Sequence, residues 1–316
     1  MFKKIIYPLA ALSLMIGTAS AETRVTYKSA KSTSSYYQMA VQIAEAMKSG
    51  TDGNVIVTVE ESQGSVQNVM ESAARPGNFV FTTPPVLVKL AQSGKAMFKD
   101  KQNPKFDTIR ALFPIPSLTM HFVLSGNGNN ASFAELEGKK ILLGKGSFGA
   151  REGAKYLKMF GLDEKVSLAE VELSNAVPAL KNGQIDGFVT AGSYPAPNVI
   201  EAAASTSVRL VSLSDEEITQ TKRTKITIPA GTYAGQTNDI QTTSLPVVAY
   251  TTTQMDDATA YQLTKTYWEG KKAMGSAARW WDGVDGSMLA NISGKIHAGA
   301  QRYYDEMGFS LADHHR

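Results

Sequence analysis

Four consecutive hydroxyl residues, Ser32, Thr33, Ser34 and Ser35, stand directly before a helix-like pattern, with Lys31 beside them. One hydroxyl suffices to cap a helix. The surplus hydroxyls are free to hydrogen-bond elsewhere. The same local design recurs along the chain: a strand-like run ends in a small, polar turn, and a helix begins there. It appears at 31–36, at 62–66 (SQGSV), at 82–86 (TTPPV), at 144–149 (GKGSFG) and at 190–198 (TAGSYPAPN). In an open parallel sheet such turns gather at the carboxyl ends of the strands, where ligands bind. Unpaired N–H groups and the positive end of the helix dipole attract anions there. Hydroxyls add donors without bulk. Any one of these turns alone reads as ordinary turn chemistry. The repetition argues for a shared site.

Groups for catalysis are sparse. The four histidines are His121, His297, His314 and His315, and no two stand at helical metal-ligand spacing. His121 lies in a strand-like stretch and reads as a core or hinge residue. The stretch GKGSFG is not closed by G-K-S/T, as a phosphate loop requires, and it does not fit G-x-S-x-G. The carboxylates nearest the turns, Glu61 and Glu152, have no clear partner, so an exported enzyme is disfavoured.

The elements that would position these turns alternate. Strands are expected at 24–30, 54–62 and 78–83. Helices are expected at 36–48, at 65–73 and from the proline pair Pro84–Pro85 onward. This β-α-β-α-β-α order implies a parallel sheet covered by helices. Residues 108–126 read as two strands. A second α/β unit follows, with strands at 139–146, 184–192 and 208–214 and helices at 147–161 and 174–183. Segment 226–245 has little helical character, 246–253 is a strand, and 256–316 is mostly helix. The expected organisation is α/β in two lobes: lobe I from 22–121 plus 246–316, and lobe II from 122–245.

Lys3 and Lys4, the apolar run IIYPLAALSLMIGTA and the small residues Ala19-Ser20-Ala21 read as an export signal cleaved after Ala21. Cysteine is absent, which excludes a lipid-anchoring cysteine, disulfides and thiolate metal sites. The net charge is +3, and +1 without Lys3 and Lys4, too balanced to argue for nucleic acid or an anionic membrane as partner.

Taken in order, STSSYY before a helix, QGSVQN, GKGSFG, NGQIDGFVTAGSYPAP, IPAGTY and the closing IHAGAQRYYDEMGF resemble the TAXI-type solute-binding proteins of tripartite ATP-independent periplasmic (TRAP) transporters. The resemblance spans essentially the whole mature chain. It implies a type II periplasmic-binding-protein fold, with two α/β lobes closing around a ligand cleft. It implies a monomer in the periplasm, no cofactor and no metal, and delivery of a small solute to a membrane permease driven by an ion gradient. It assigns ligand binding to the loop Ala30–Ser35 with Tyr36 and Tyr37, to Gly64, Ser65 and Asn68, to Gly146, Ser147 and Gly149, and to Gly192, Ser193, Tyr194 and Pro195.

The chain departs from the family's pattern in two places. Ala30, Lys31 and Ser34 stand where glycines are usual. The third turn, often Gln-Ser-Asp, is Thr83-Pro84-Pro85, so an acidic residue suited to an ammonium group is missing. Lys31, Lys145 and Arg151 are candidate positive charges near the crevice. The expected ligand is therefore an organic anion without an amino group: a keto-, hydroxy- or dicarboxylate. The alternatives are a glutamate- or glutamine-like ligand in the same transporter class, and an ABC-type binding protein on the same fold. Tyr36, Tyr194 and Tyr233 are expected to wall the ligand. Hinges are expected near His121 and residues 229–246.

Overall fold

The computed structural model describes residues 22–316, so the expected export signal lies outside the described residues. The first lobe opens with β1 (Thr23–Lys28), α1 (Ser35–Gly50), β2 (Val55–Glu60), α2 (Ser65–Ser72), β3 (Phe79–Thr83) and α3 (Pro85–Gln92). β1 pairs in parallel with β2 on one side and β3 on the other. The spatial order is thus 2-1-3, and the chain reverses its direction across the sheet at β1. Right-handed crossovers then place α1 and α2 on opposite faces. In keeping with this, α1 packs on the late helix α8 (Asp257–Ala277), and α2 packs on α3.

The second lobe repeats the plan. It contains β5 (Lys140–Leu142), α4 (Phe148–Met159), β6 (Ser167–Ala169), α5 (Ala176–Lys181) and β7 (Gly187–Gly192). β5 pairs in parallel with both β6 and β7, again in the order 2-1-3. α6 (Pro197–Ser205), β8 (Val208–Leu210), α7 (Asp215–Thr221) and β9 (Thr224–Ile228) complete it.

Two long strands run through both units: β4 (Ile109–Ser125) and β10 (Ile240–Thr252). β10 lies antiparallel to β3 and β4, and β4 antiparallel to β7, so all ten strands form one sheet. The strand directions follow: β1–β3 run toward lobe II, and β5–β7 run toward lobe I. The carboxyl ends of both units therefore face each other.

The stretch 108–126, expected as two strands, is one strand of 17 residues. Pro114 and Pro116 are tolerated because the ladder is irregular there. Leu245 pairs with Leu118 and Val247 with Ile115, leaving Pro116 and Ser117 opposite Pro246. Prolines sit at such bulges without removing a ladder bond. Segment 226–245 contains β9 and the first half of β10, paired antiparallel.

The lobe I core is rich in rings. Phe79, Phe81 and Tyr250 stack at successive centroid distances of 5.8 Å. Trp281 is fully buried, and its Nε1–H donates to Gln42 Oε1 on α1 at 2.7 Å. α9 (Ala298–Glu306) closes this lobe against α8, where Gly299 approaches the α8 backbone so closely that a Cβ would stand 2.1 Å from Asp257 O.

Candidate functional site

In a 2-1-3 sheet the crevice for a ligand opens at the switch point, here beyond the carboxyl ends of β1 and β3. The hydroxyl row sits there, and its members divide the work. Ser34 is the N-cap of α1, and its side chain accepts from the Tyr36 amide at 3.2 Å. The Ser32 amide donates to Glu61 Oε1 at 2.5 Å. Thr33 Oγ1 and Ser35 Oγ are buried and have no hydrogen-bond partner. Two further buried side-chain atoms share that condition, Asn68 Oδ1 on α2 and Thr83 Oγ1 at the end of β3. Among the described residues these four are the complete set of buried, unpaired side-chain polar atoms. Buried polar groups are nearly always paired, so four orphans around one switch point call for an explanation.

Their neighbours are fixed. Asn68 Nδ2 donates to Ser29 O at 2.6 Å and Thr82 O at 2.9 Å, bridging the ends of β1 and β3. Ser62 Oγ donates to Ser29 O at 3.0 Å and accepts from the Gly64 amide at 2.9 Å. Gly64, the N-cap of α2, has φ 115°, a conformation costly for any residue with a Cβ. Ser65 opens α2 half-buried. In α1 the Tyr36 and Tyr37 amides are taken up by Ser34, which leaves the Ser35 amide; at the start of α2 the Ser65 and Val66 amides are left at the same edge.

Lobe II meets this edge directly. A Cβ on Gly192 would fall 2.7 Å from Ser35 Oγ, one on Gly146 3.7 Å from Gln63, and one on Gly64 3.9 Å from Ser147 Cα. The lobes are thus in contact, and the four orphan atoms are sealed from solvent between them or beneath them. Ser147 caps α4 by accepting from the Ala150 amide at 2.9 Å. Gly149 lets α4 lie on β7, since a Cβ there would stand 2.9 Å from that of Ala191. Ser193 Oγ donates to Ser117 O at 2.7 Å, and Tyr36 Oη donates to Pro116 O at 3.1 Å, so both tie the turns to the crossing strand. Burial pushes the Tyr36 phenol far above its ordinary range, and it stays neutral.

The candidate cations stand outside the orphan cluster. Lys31 Nζ pairs across the cleft with Glu172 Oε2 of lobe II at 3.1 Å, and Gln63 Nε2 donates to Glu172 Oε1 at 3.0 Å. Lys31 and Gln63 beside it hold Glu172 below the usual carboxylate range. The side chains of Lys145 and Arg151 are exposed and make no hydrogen bond or ion pair among the described residues. Glu152 is buried beneath lobe II's surface and bound to Arg223 Nε at 2.7 Å.

Tyr233, expected at the ligand, is instead inside lobe II. Its hydroxyl accepts from the Ala196 amide at 2.8 Å and reaches His121 Nε2 at 2.8 Å. His121 Nδ1 faces Thr119 O at 3.1 Å. The network fits a neutral imidazole that donates from Nδ1 and accepts at Nε2. Burial pushes this histidine down to about 4.

A cavity of about 700 Å³ lies beside the crossing strands. It is bordered by Pro116, Ser117, Ser193 and Tyr194, by the 229–232 loop and by Arg279 and Trp280. Among the expected site residues, Ser193, Tyr194 and Pro195 touch it. It holds none of the orphan atoms, and its Lys225 is already paired with Asp215 at 2.6 Å. The unmet bonding capacity lies at the switch point and not in this cavity. The sequence singled out these turns but could not separate capping hydroxyls from unpaired ones. Glu172, in a loop with no helix or strand signal, it did not single out.

Solved structures share this architecture. A structure titled periplasmic binding protein BugD superposes with TM-score 0.57 at 11% identity, covering 92% of this chain and 99% of that one. A structure titled a periplasmic transporter gives TM-score 0.54 at 12% identity, covering 92% and 94%. A TRAP periplasmic solute-binding protein from Ochrobacterium anthropi with bound L-fuconate gives TM-score 0.44 at 12% identity, covering 93% and 96%. The first two establish the fold as that of the type II periplasmic solute-binding proteins. The sequence signature of the NMT1-like family matches residues 28–308, and the chain belongs to that family.

Proposed function

We propose that this protein is a periplasmic solute-binding protein that captures a small organic carboxylate between its lobes and hands it to a membrane transporter. The observation that carries this reading is the set of four buried, unpaired groups, Thr33 Oγ1, Ser35 Oγ, Asn68 Oδ1 and Thr83 Oγ1, under the contact between two facing sheet edges. The solute loads onto the edge of lobe I (22–121 plus 246–316) when the lobes part. Hydroxyls of Thr33, Ser35 and Thr83 and the amides of Ser35, Ser65 and Val66 bind its carboxylate. Lobe II (122–245) then closes, turning about Pro116–Ser117 of β4 and Leu245–Val247 of β10, with Gly146 and Gly192 allowing backbone approach. The Glu172 contacts to Lys31 and Gln63 form only in the closed state, so they add to the differential affinity that closure requires. Holding the solute needs no acid–base chemistry, and the protein is not an enzyme. The ordered motifs shared with TAXI-type proteins favour a TRAP permease driven by an ion gradient as the partner.

A thermal-shift screen of refolded residues 22–316 tests this. The panel holds C4 to C6 dicarboxylates, keto and hydroxy acids, amino acids, sulfonates and sugars. A ligand of the folded state raises the melting midpoint by mass action. Shifts confined to carboxylates support the reading. Shifts only with sugars or cations overturn it.

A further inference from the structure

The carboxylate site at the switch point contains one atom that a carboxylate does not satisfy, and on that reading it narrows the ligand. Asn68 has no exposed surface. Its Nδ2 bridges Ser29 O and Thr82 O at 2.6 and 2.9 Å. Turning the amide over would press Oδ1 against two carbonyl oxygens, so these contacts fix its orientation. Oδ1 accepts only, and it is left buried without a donor. The other three orphans are hydroxyls, which donate or accept as needed. A plain carboxylate takes their protons and offers none back. Its oxygen beside Asn68 Oδ1 would be repelled, and the amide would remain unsatisfied.

We infer that the ligand carries an uncharged hydrogen-bond donor close to its carboxylate, and that this donor meets Asn68 Oδ1. Among the small organic anions the site suits, this selects hydroxycarboxylates over keto acids and unsubstituted dicarboxylates. An ammonium group would also donate, but the buried unpaired set contains no carboxylate. Glu61 is exposed, and Glu172 is paired with Lys31. An ammonium sealed here would have no counter-ion, which is expensive.

The test is titration calorimetry on residues 22–316 with matched ligands of four and five carbons. Each set contains the 2-hydroxy, 2-oxo, 2-amino and unsubstituted dicarboxylate. The hydroxy acid should bind about tenfold to a hundredfold more tightly than its 2-oxo and unsubstituted counterparts, the cost of leaving one buried acceptor unpaired. Equal or tighter binding of the 2-oxo or unsubstituted acid overturns the inference and leaves the carboxylate reading standing. Tightest binding of the amino acid overturns the uncharged donor. Binding by no carboxylate overturns both readings together. Asn68→Leu removes the acceptor at similar volume, and the hydroxy-to-oxo ratio should fall toward one. The wild-type series decides the matter whether or not that variant folds.

Discussion

The two edges that face each other across the cleft come from the same βαβαβ plan, yet they are equipped differently. On lobe I, side chains carry unmet bonding capacity at Thr33, Ser35, Asn68 and Thr83. On lobe II, the corresponding turns have used theirs. Ser147 caps α4, Ser193 is tied to Ser117 O, and Gly146, Gly149 and Gly192 present no side chain. The difference assigns roles. Under the proposed function, lobe I recognises the solute, and lobe II is a lid whose glycines let backbone come close. A satisfied polar turn contributes to stability, whereas an unsatisfied one is a standing cost that a ligand removes.

The sharpest way to break this comparison is to give the lid a side chain. Gly192→Val puts methyl groups where a Cβ already falls 2.7 Å from Ser35 Oγ. Affinity should drop about a hundredfold, since overpacking costs ~1–3 kcal/mol and falls here on the closed state. Calorimetry on the variant checks this, and unchanged affinity would mean that the lobes do not close over the ligand.

A second test separates the lid's own scaffold from the site. His121 is neutral where β4 enters lobe II, beside β7 and Tyr233, with its pKa pushed down from 6.5 to about 4 by burial. The unfolded chain takes up this proton below pH 6.5, and the folded chain does not until about pH 4. The stability is therefore whole above pH 6.5 and is lost as pH falls toward 4, by ~1.4 kcal/mol per pH unit, or about 3 kcal/mol in all. Urea melts from pH 7.5 to 4 should show that slope, and His121→Gln should flatten it.

Ser35→Ala and Thr83→Val sharpen the contrast between unsatisfied and satisfied hydroxyls. Each should weaken ligand binding about five- to tenfold while leaving the melting midpoint of the unliganded protein unchanged or slightly raised, because a buried unpaired group is removed. Ser193→Ala on the lid should do the opposite, lowering stability by ~1 kcal/mol with a smaller effect on binding. The smallest effect expected is that of Glu172→Gln. It weakens the contact to Lys31 at the rim and should raise the dissociation constant two- to threefold at low salt, with the difference vanishing at high salt.

Much of this fold is legible in the sequence because both lobes use short apolar strands bounded by polar turns. The failures have physical reasons. Pro114 and Pro116 read as a break, but the ladder bulges there and the strand continues. Segment 226–245 shows little helical character, but its polar stretch IQTTSL (240–245) gives no clear strand pattern either, because Thr242, Thr243 and Ser244 are polar residues buried where β10 crosses between the lobes. Helix α7 was passed over although Ser214 and Glu217 form a capping box at its start. At the site, the turns were readable from their composition. The division of labour within STSS was not, because it depends on contacts with Glu61, Tyr36 and Gly192 that lie far away in sequence or across a helix start. Tyr233 was misplaced for the same reason: only the fold brings it to His121.

The most direct test of the central claim is a thermal-shift comparison of wild type with the Ser35→Ala/Thr83→Val double variant, using whichever carboxylate shifts the wild type most. The account predicts that the unliganded midpoints agree within about a degree and that the ligand-induced shift is lost in the double variant. A full shift in that variant, together with its loss on replacing Trp280 by alanine, would place the ligand in the 700 Å³ cavity beside the crossing strands and contradict the account.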